Sequence, residues 1–504
     1  MKKPLCLLLC LLLLLPAAGG CAGPSGEEAV QTLSIRQEQI SSFDRALADA
    51  LAQAGARLTR ILLPDDVCPL TEDAAVPANV SLVFGRGTAL SVAAGRTLTI
   101  FGGVEAPNTY IFPGEGTVAG NIRGDAYVQW FGADASDFTA NQTVPFQKAL
   151  DVCDTVLVPS RAREYRVSSL TITRPVTLRG TGAARTAIRA ASAAEPLIDV
   201  CASQVRIENL AVSFTPLEAQ KRTFVRLNTE QQDLQDVSLY NIFVTNPGFA
   251  VCDAGAGQHT ASNVTLDHIK INSNYNTGVW LRDCSTGIKL LDVTVSSFGP
   301  NLSTKGYVFE NVQQMYLENV DNLGGFTKTV KGGDGLTFIN CANVSCYRVM
   351  TDYLNARHLV IRNCTKFHFS NFVTSLMCEE GLYFDGLTDS VMDVIKVNGN
   401  YPSTGPGAYL KNCTGNVFND LIIIDASQSA VVLENCSGNV FNNLVTAGAA
   451  RPYALEEREG CRDNRFQGLI LTGAFSLQGD GSSIHGLRDE KDRLFAVIAA
   501  PAEG

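Results

Sequence analysis

The sequence predicts an all-β solenoid, a parallel β-helix preceded by a short N-terminal capping helix. Three observations lead there. Lys411–Leu421 (KNCTGNVFNDL) returns as Glu434–Leu444 (ENCSGNVFNNL), and Cys461, Asn464 and Phe466 echo the motif once more. A period in the low twenties marks stacked structural units. Within a unit, Ala408–Lys411 alternates apolar and polar residues, the period of a half-buried strand. At ~3.3 Å per residue a unit is too long for one strand, and it fits one coil of two or three short strands joined by turns.

The same frame runs upstream. Its Asn-Cys or equivalent step recurs at Asp283-Cys284, Asn311-Val312, Asn340-Cys341, Asn363-Cys364 and Gly386-Leu387. Asn tolerates the left-handed backbone of a tight turn, and stacked amides can hydrogen-bond along the column. The cysteines that follow are expected to be small buried hydrophobes with free thiols. None has the C-x₂-C spacing of a zinc site. In an exported chain cysteines often pair, and coils ~4.8 Å apart leave disulfides between neighbours open.

In chain order, residues 1–20 are a targeting leader, with Lys2 and Lys3 before the apolar run Leu5–Leu15, which is too short to span a membrane. Ala18-Gly19-Gly20-Cys21 resembles a bacterial lipobox, which implies lipidation of Cys21 and a membrane-anchored lipoprotein of the cell envelope. An ordinary secretory cut nearby is the alternative. Residues 21–32 are a tether and 33–57 the capping helix, in which Ile40, Phe43, Leu47, Leu51 and Ala54 share one face and Ser41 or Ser42 caps a shorter version. Residues 58–130 hold the first short strands and coils, 131–476 the parallel β-helix, and 477–504 a C-terminal cap or tail.

Apolar residues make up 45% of the 504-residue chain and charged ones 18%, with a formal charge of −10. That acidity argues against nucleic acid and anionic membrane surfaces as partners and leaves neutral and cationic ligands open. No cofactor and no metal are expected.

A more specific series runs through Ile111-Phe112-Pro113-Gly114-Glu115-Gly116, Trp130-Phe131-Gly132-Ala133, Phe146–Leu150, Val156-Leu157-Val158-Pro159 and Leu178-Arg179-Gly180-Thr181-Gly182. It resembles the pectate-lyase-like superfamily of right-handed parallel β-helices, including tailspike-type and bacterial surface proteins. The resemblance implies the right-handed fold and a polysaccharide or other glycan as partner. After Trp-Phe-Gly-Ala this chain lacks the family's paired Asp, so the loop 134–143 is expected to start a helix near 144–150 rather than to hold a metal.

Stacking turns sequence offsets into columns. Seven residues before each Asn-Cys cysteine stand Thr277, Lys305, Asp334, Arg357, Glu380, Pro406 and Ser429. Asp334 and Glu380 fall two coils apart, ~9.6 Å along the axis, near the upper end of the separation used by inverting glycosidases. Asp334-Gly335-Leu336 is similar to the acid-bearing strand of polygalacturonase-like hydrolases, whose other motifs are missing. Asp334, Glu380, Arg357 and His358 are therefore the catalytic candidates, against the alternative of a salt-bridged surface ladder. An outward column, Trp280, Val308, Thr337, Val360, Tyr383, Tyr409 and Val432, supplies ligand-binding candidates in Trp280, Tyr383 and Tyr409, with Lys305 beside them. His259, His268, His368 and His485 are given no role. The expected function is a lipid-anchored envelope protein that engages polysaccharide, with cleavage as a glycoside hydrolase or polysaccharide lyase open. The alternative is a non-catalytic structural or adhesive surface lipoprotein.

Overall fold

The computed structural model describes residues 30–488 and 498–499, except 135, 138, 161–162, 184–186, 192–195, 216–221, 254–257, 298–304, 325–332, 353–355, 376–378, 400–402 and 449–450. The leader and Cys21 lie outside the described residues.

The chain winds into a parallel β-helix. A narrow sheet of 13 strands and a wide sheet of 24 form its walls, with strands pairing in parallel from coil to coil except Ile498–Ala499, which runs antiparallel to Ser483–His485. Each longer strand of the wide sheet turns a corner at a residue of positive φ, successively Asn209, Asn241, His268, Asp292, Asn319, Arg348, Asn371, Val394 and Asp420. A second left-handed column, Asp283, Asn311, Asn340, Asn363, Gly386, Asn412 and Asn435, carries the repeated Asn of the sequence. There the amides do stack: Asn311 donates to Asp283 (2.7 Å), Asn340 to Asn311 (3.1 Å) and Asn435 to Asn412 (2.7 Å). The following cysteines, Cys284, Cys341, Cys364, Cys413, Cys436 and Cys461, are buried, and every described cysteine is a free thiol.

The interior is built the same way. Phe418, Phe441 and Phe466 stack almost parallel, with centroids 4.6 and 5.0 Å apart. Beside them runs a fully buried amide ladder, with Asn416 donating to Asn439 (2.9 Å) and Asn439 to Asn464 (3.0 Å). Asn464 ends it on the buried Glu457 (2.8 Å). Burial pushes the Glu457 carboxyl above its ordinary range.

Three boundaries differ from expectation. The helix is Phe43–Ala54, led by a 3-10 turn Gln37–Ser42, and not 33–57. Ser42 is its N-cap residue, without a side-chain capping bond. Gln31–Ser34, assigned in part to the tether, is a strand alongside Thr59–Leu62, because Leu33 alternates with polar neighbours and the sheet edge offers it partners. Coiling starts within the 58–130 region and, in place of the expected cap or tail, runs on past 476. Thr59–Leu62 already pairs with Val80–Val83, and Ser483–His485 still pairs with Arg465–Gln467. The loop at 134–143 does lead into a helix, Thr143–Val152, and Asn141 Oδ1 accepts the Thr143 amide (3.0 Å).

Asn439→Ala removes four buried hydrogen bonds and leaves the Asn416 backbone N–H without its acceptor, so it should cost about 3–5 kcal/mol in urea unfolding. Asn435→Gly keeps the left-handed turn and loses only an exposed ladder bond, so it should cost under about 1 kcal/mol. Equal losses at both positions would contradict this account.

Candidate functional site

The narrow sheet carries the residues singled out in the sequence, and its register puts them in one row. Cys252, Trp280, Val308, Thr337, Val360, Tyr383, Tyr409 and Val432 are mutual partners on successive strands. The row is not a continuous exposed face, however: Val308, Thr337, Val360 and Val432 are buried. The aromatic members are engaged by arginines. Arg282 lies over Trp280 at 4.4 Å and Arg357 over Tyr383 at 4.5 Å, and Phe249 stacks with Trp280 at 5.7 Å. Tyr409 donates to Glu434 (2.5 Å), and Arg458 stands 5.9 Å from its ring.

The charged column is similarly paired. Arg357 Nε donates to Glu380 (2.9 Å) and lies 3.9 Å from Glu379. Asp334, half-buried one coil before Arg357, adds to the negative field around that guanidinium. Arg357 therefore stands between the two carboxylates proposed as an acid and base. Lys305 is exposed at the row's edge and makes no ion pair among the described residues.

His358 does not belong to this surface. It precedes the strand Leu359–Arg362, where the chain is still turning, and its side chain lies inside the coil, level with Gly278, Gly306, Gly335, Gly381 and Gly407 of neighbouring coils. A Cβ at Gly278 would meet Val295 at 2.6 Å, and one at Gly407 would meet Ile423 at 2.5 Å. His358 fits because Thr351 faces it, with the Thr351 hydroxyl 2.8 Å from Nδ1. It is fully buried and serves the core.

The same sheet also holds Asp253, whose position alternates inward among apolar residues. Burial outweighs the attraction of Arg282 (3.3 Å) and pushes its carboxyl up to about 6.

The surface that forms a groove lies on the wide sheet, along its left-handed corner. Ala211, Phe243, Lys270, Thr294 and Asp321 stand at one register position on five successive coils. They floor a cavity of about 970 Å³ that runs with the helix axis for ~19 Å. Asn241, His268, Asp292 and Asn319, the corner residues of four of those coils, form its wall. Phe243 is 37% exposed in the groove, and Tyr240, also 37% exposed, stands beside His268 with centroids 5.7 Å apart.

The polar groups of this corner are tied together. His268 Nδ1 is 2.5 Å from Asp267 and Nε2 is 3.6 Å from Asp292, while Asn319 donates to Asp292 (2.8 Å). Asp321 is half-buried, and burial together with the neighbouring Asp292 raises its carboxyl above the ordinary range. Ligand atoms of Asp267, His268 and Asp292 lie within 4.8 Å of one another, a spacing that a metal ion can use.

The architecture is now explicit: parallel coils in register, two walls, and corner turns at single left-handed residues. The fold is a parallel β-helix. No protein-family model matches the chain, and no curated protein matches it in sequence. Solved structures do match. The A-module of mannuronan C-5 epimerase AlgE4 from Azotobacter vinelandii is 14% identical over 72% of this chain and 100% of the module, with a TM-score of 0.44. Tailspike protein 3 of bacteriophage CBA120 is 9% identical over 72% of this chain and 61% of its own, with a TM-score of 0.43. The catalytic unit of a GH87 alpha-1,3-glucanase from Streptomyces thermodiastaticus is 14% identical over 72% and 70%, with a TM-score of 0.34.

Sequence reading assigns His268 no role and does not single out Asp292, Asp321, Phe243 or Tyr240. Their one signal is the corner column, which irregular spacing hides: 32 residues separate Asn209 from Asn241, but 27 separate Asp292 from Asn319.

Asp253 gives a pH test. Its folded-state pKa lies above the unfolded value, so the folded protein holds the proton more tightly. Stability from this group is full below about pH 4 and declines as pH rises to about 6, by about 3 kcal/mol in all. Relative to wild type, Asp253→Asn should therefore gain stability steadily from pH 4 to pH 7. A difference that stays flat across that range would show that the carboxyl is not perturbed.

Proposed function

We infer that this protein holds an extended polysaccharide lengthwise in the corner groove of the wide sheet. The groove itself carries the reading: one continuous channel crossing five coils, with an exposed phenylalanine on its floor and polar side chains along its wall. A sugar chain presents apolar C–H faces and hydroxyl edges in alternation. An exposed ring in a row of Asn, His and Asp side chains offers both kinds of contact. With the leader cleaved and Cys21 lipidated, the groove would work at the cell envelope.

A hydrolytic reading has one observation in its favour. Asp321 and Asp292 are neighbouring carboxyls, one half-buried and one exposed, and burial and the negative charge of Asp292 raise the Asp321 carboxyl above its ordinary range. Carboxyl pairs whose environments differ in this way serve as acid and base in glycoside cleavage.

The test is a glycan-binding panel on the form starting at Ala22, read together with release of reducing ends. Phe243→Ala should weaken binding about tenfold, the loss of roughly one aromatic stacking contact, with the melting temperature unchanged. Tyr383→Ala on the narrow sheet should leave binding as it was. The opposite pattern would move the site to the narrow sheet. If reducing ends appear, Asp321→Asn should abolish them, whereas unsaturated products would replace hydrolysis with elimination.

A further inference from the structure

We propose that the corner groove takes a polysaccharide bearing protonated amino groups, an amino-sugar polymer, in preference to a uronate polymer. This rests on the reading of the groove as a polysaccharide site and adds the charge of the chain it accepts.

The argument is a local count of charge. At physiological salt, screening confines such effects to within ~8 Å, so only groups at the groove matter. Three carboxylates stand there among the described residues: Asp292 and Asp321 line the groove, and Asp267 lies beside it, within 4.8 Å of His268 and Asp292. Among the described residues of the groove the cations are Lys270 and, when protonated, His268. His268 is already held between Asp267 and Asp292, at 2.5 and 3.6 Å. Arg206, 6.0 Å from the Tyr240 ring, and Arg179 are both bound to the buried Glu208. Asp321 forms no ion pair among the described residues, and the side-chain donor to Asp292 from the wall is the neutral amide of Asn319.

A uronate at this position adds a fourth negative group with one exposed lysine to receive it. An ammonium brings three N–H donors to carboxylates one coil apart, ~4.8 Å along the axis. The exposed ring of Phe243 then packs against the apolar face of the sugar. The chain as a whole, at −10, opposes polyanions in the same direction.

The experiment is calorimetric titration of the full mature chain at pH 6 in EDTA, at low and high salt. The probes are hexamers of deacetylated glucosamine, N-acetylglucosamine, galacturonate and glucose. The deacetylated hexamer should bind at least about tenfold more tightly than its acetylated form, and added salt should weaken it. Asp321→Asn and Asp292→Asn should each cost about tenfold, the typical loss of one hydrogen bond to a charged group. Lys270→Gln should tighten binding two- to threefold, roughly what removal of a like charge yields at a surface. Melting temperatures of the variants should match wild type.

Equal affinity for both hexosamine forms would overturn the proposal, as would tighter binding of galacturonate. Uronate binding that appears only when manganese, zinc or calcium replaces EDTA would also overturn it, by giving Asp267, His268 and Asp292 to a metal. Glucose or galacturonate hexamers that bind and are lost in Phe243→Ala would leave the groove as a polysaccharide site and remove only its charge preference. Failure of every hexamer to bind would overturn both readings.

Discussion

Everything in this molecule depends on strands lying in register one coil above another. Parallel pairing fixes the spacing at ~4.8 Å and brings each side chain against its equivalent in the next coil. A residue in a β-helix is therefore judged by its column as much as by its own preferences. Like residues are tolerated when they satisfy one another, as the amides of Asn416, Asn439 and Asn464 do in the core. Repeated phenylalanines are tolerated for the same reason, because rings 4.6–5.0 Å apart and nearly parallel fill the interior without gaps. Like charges would repel. On the narrow sheet, Arg357 accordingly pairs with Glu380 and Lys411 with Glu434 from neighbouring coils.

That constraint also explains which parts of the protein can be read from its sequence. The coils around Cys413 and Cys436 are short and uninterrupted. Their Asn, Cys and Phe columns repeat after 23 residues, and the left-handed Asn412 and Asn435 are visible as letters. The outward column from Trp280 to Val432 was correctly aligned because the same frame generates it. Alignment did not reveal burial, since Val308, Thr337 and Val360 face outward and are still covered. Nor did it separate Arg357, which turns out, from His358, which turns in against Thr351. Telling those apart requires the distance between walls, and the glycines at 278, 306 and 407 express that distance only indirectly.

The groove was harder to see for a related reason. It belongs to the corner of the wide sheet, where the residue type changes from coil to coil and the intervening lengths change with it. Tyr240, His268 and Asp321 share no letter and no fixed interval. Only the register of the strands makes them neighbours.

This difference between constant and varied columns separates structure from function here. Each corner needs one left-handed residue, and Asn or Asp meets that need at low cost. A corner built of Asn over Asn, or Asn over Asp, closes on itself, because each amide donates to the oxygen below. Asn241 on Asn209 and Asn443 on Asp420 are of this kind. From Asn241 to Asn319 the column instead reads Asn, His, Asp, Asn. An imidazole offers two nitrogens in fixed directions, and it meets Asp267 on its own strand and Asp292 on the next. Asp292 takes one further bond from Asn319, which leaves acceptor capacity facing the groove. Asp321 lies beside it with its carboxyl half-buried. The same corner also takes Arg348 and Val394 farther along the helix, so a departure from asparagine does not by itself mark a site. Between Asn241 and Asn319 it stands beside the channel, and its surplus of acceptors over donors gives that channel a charge.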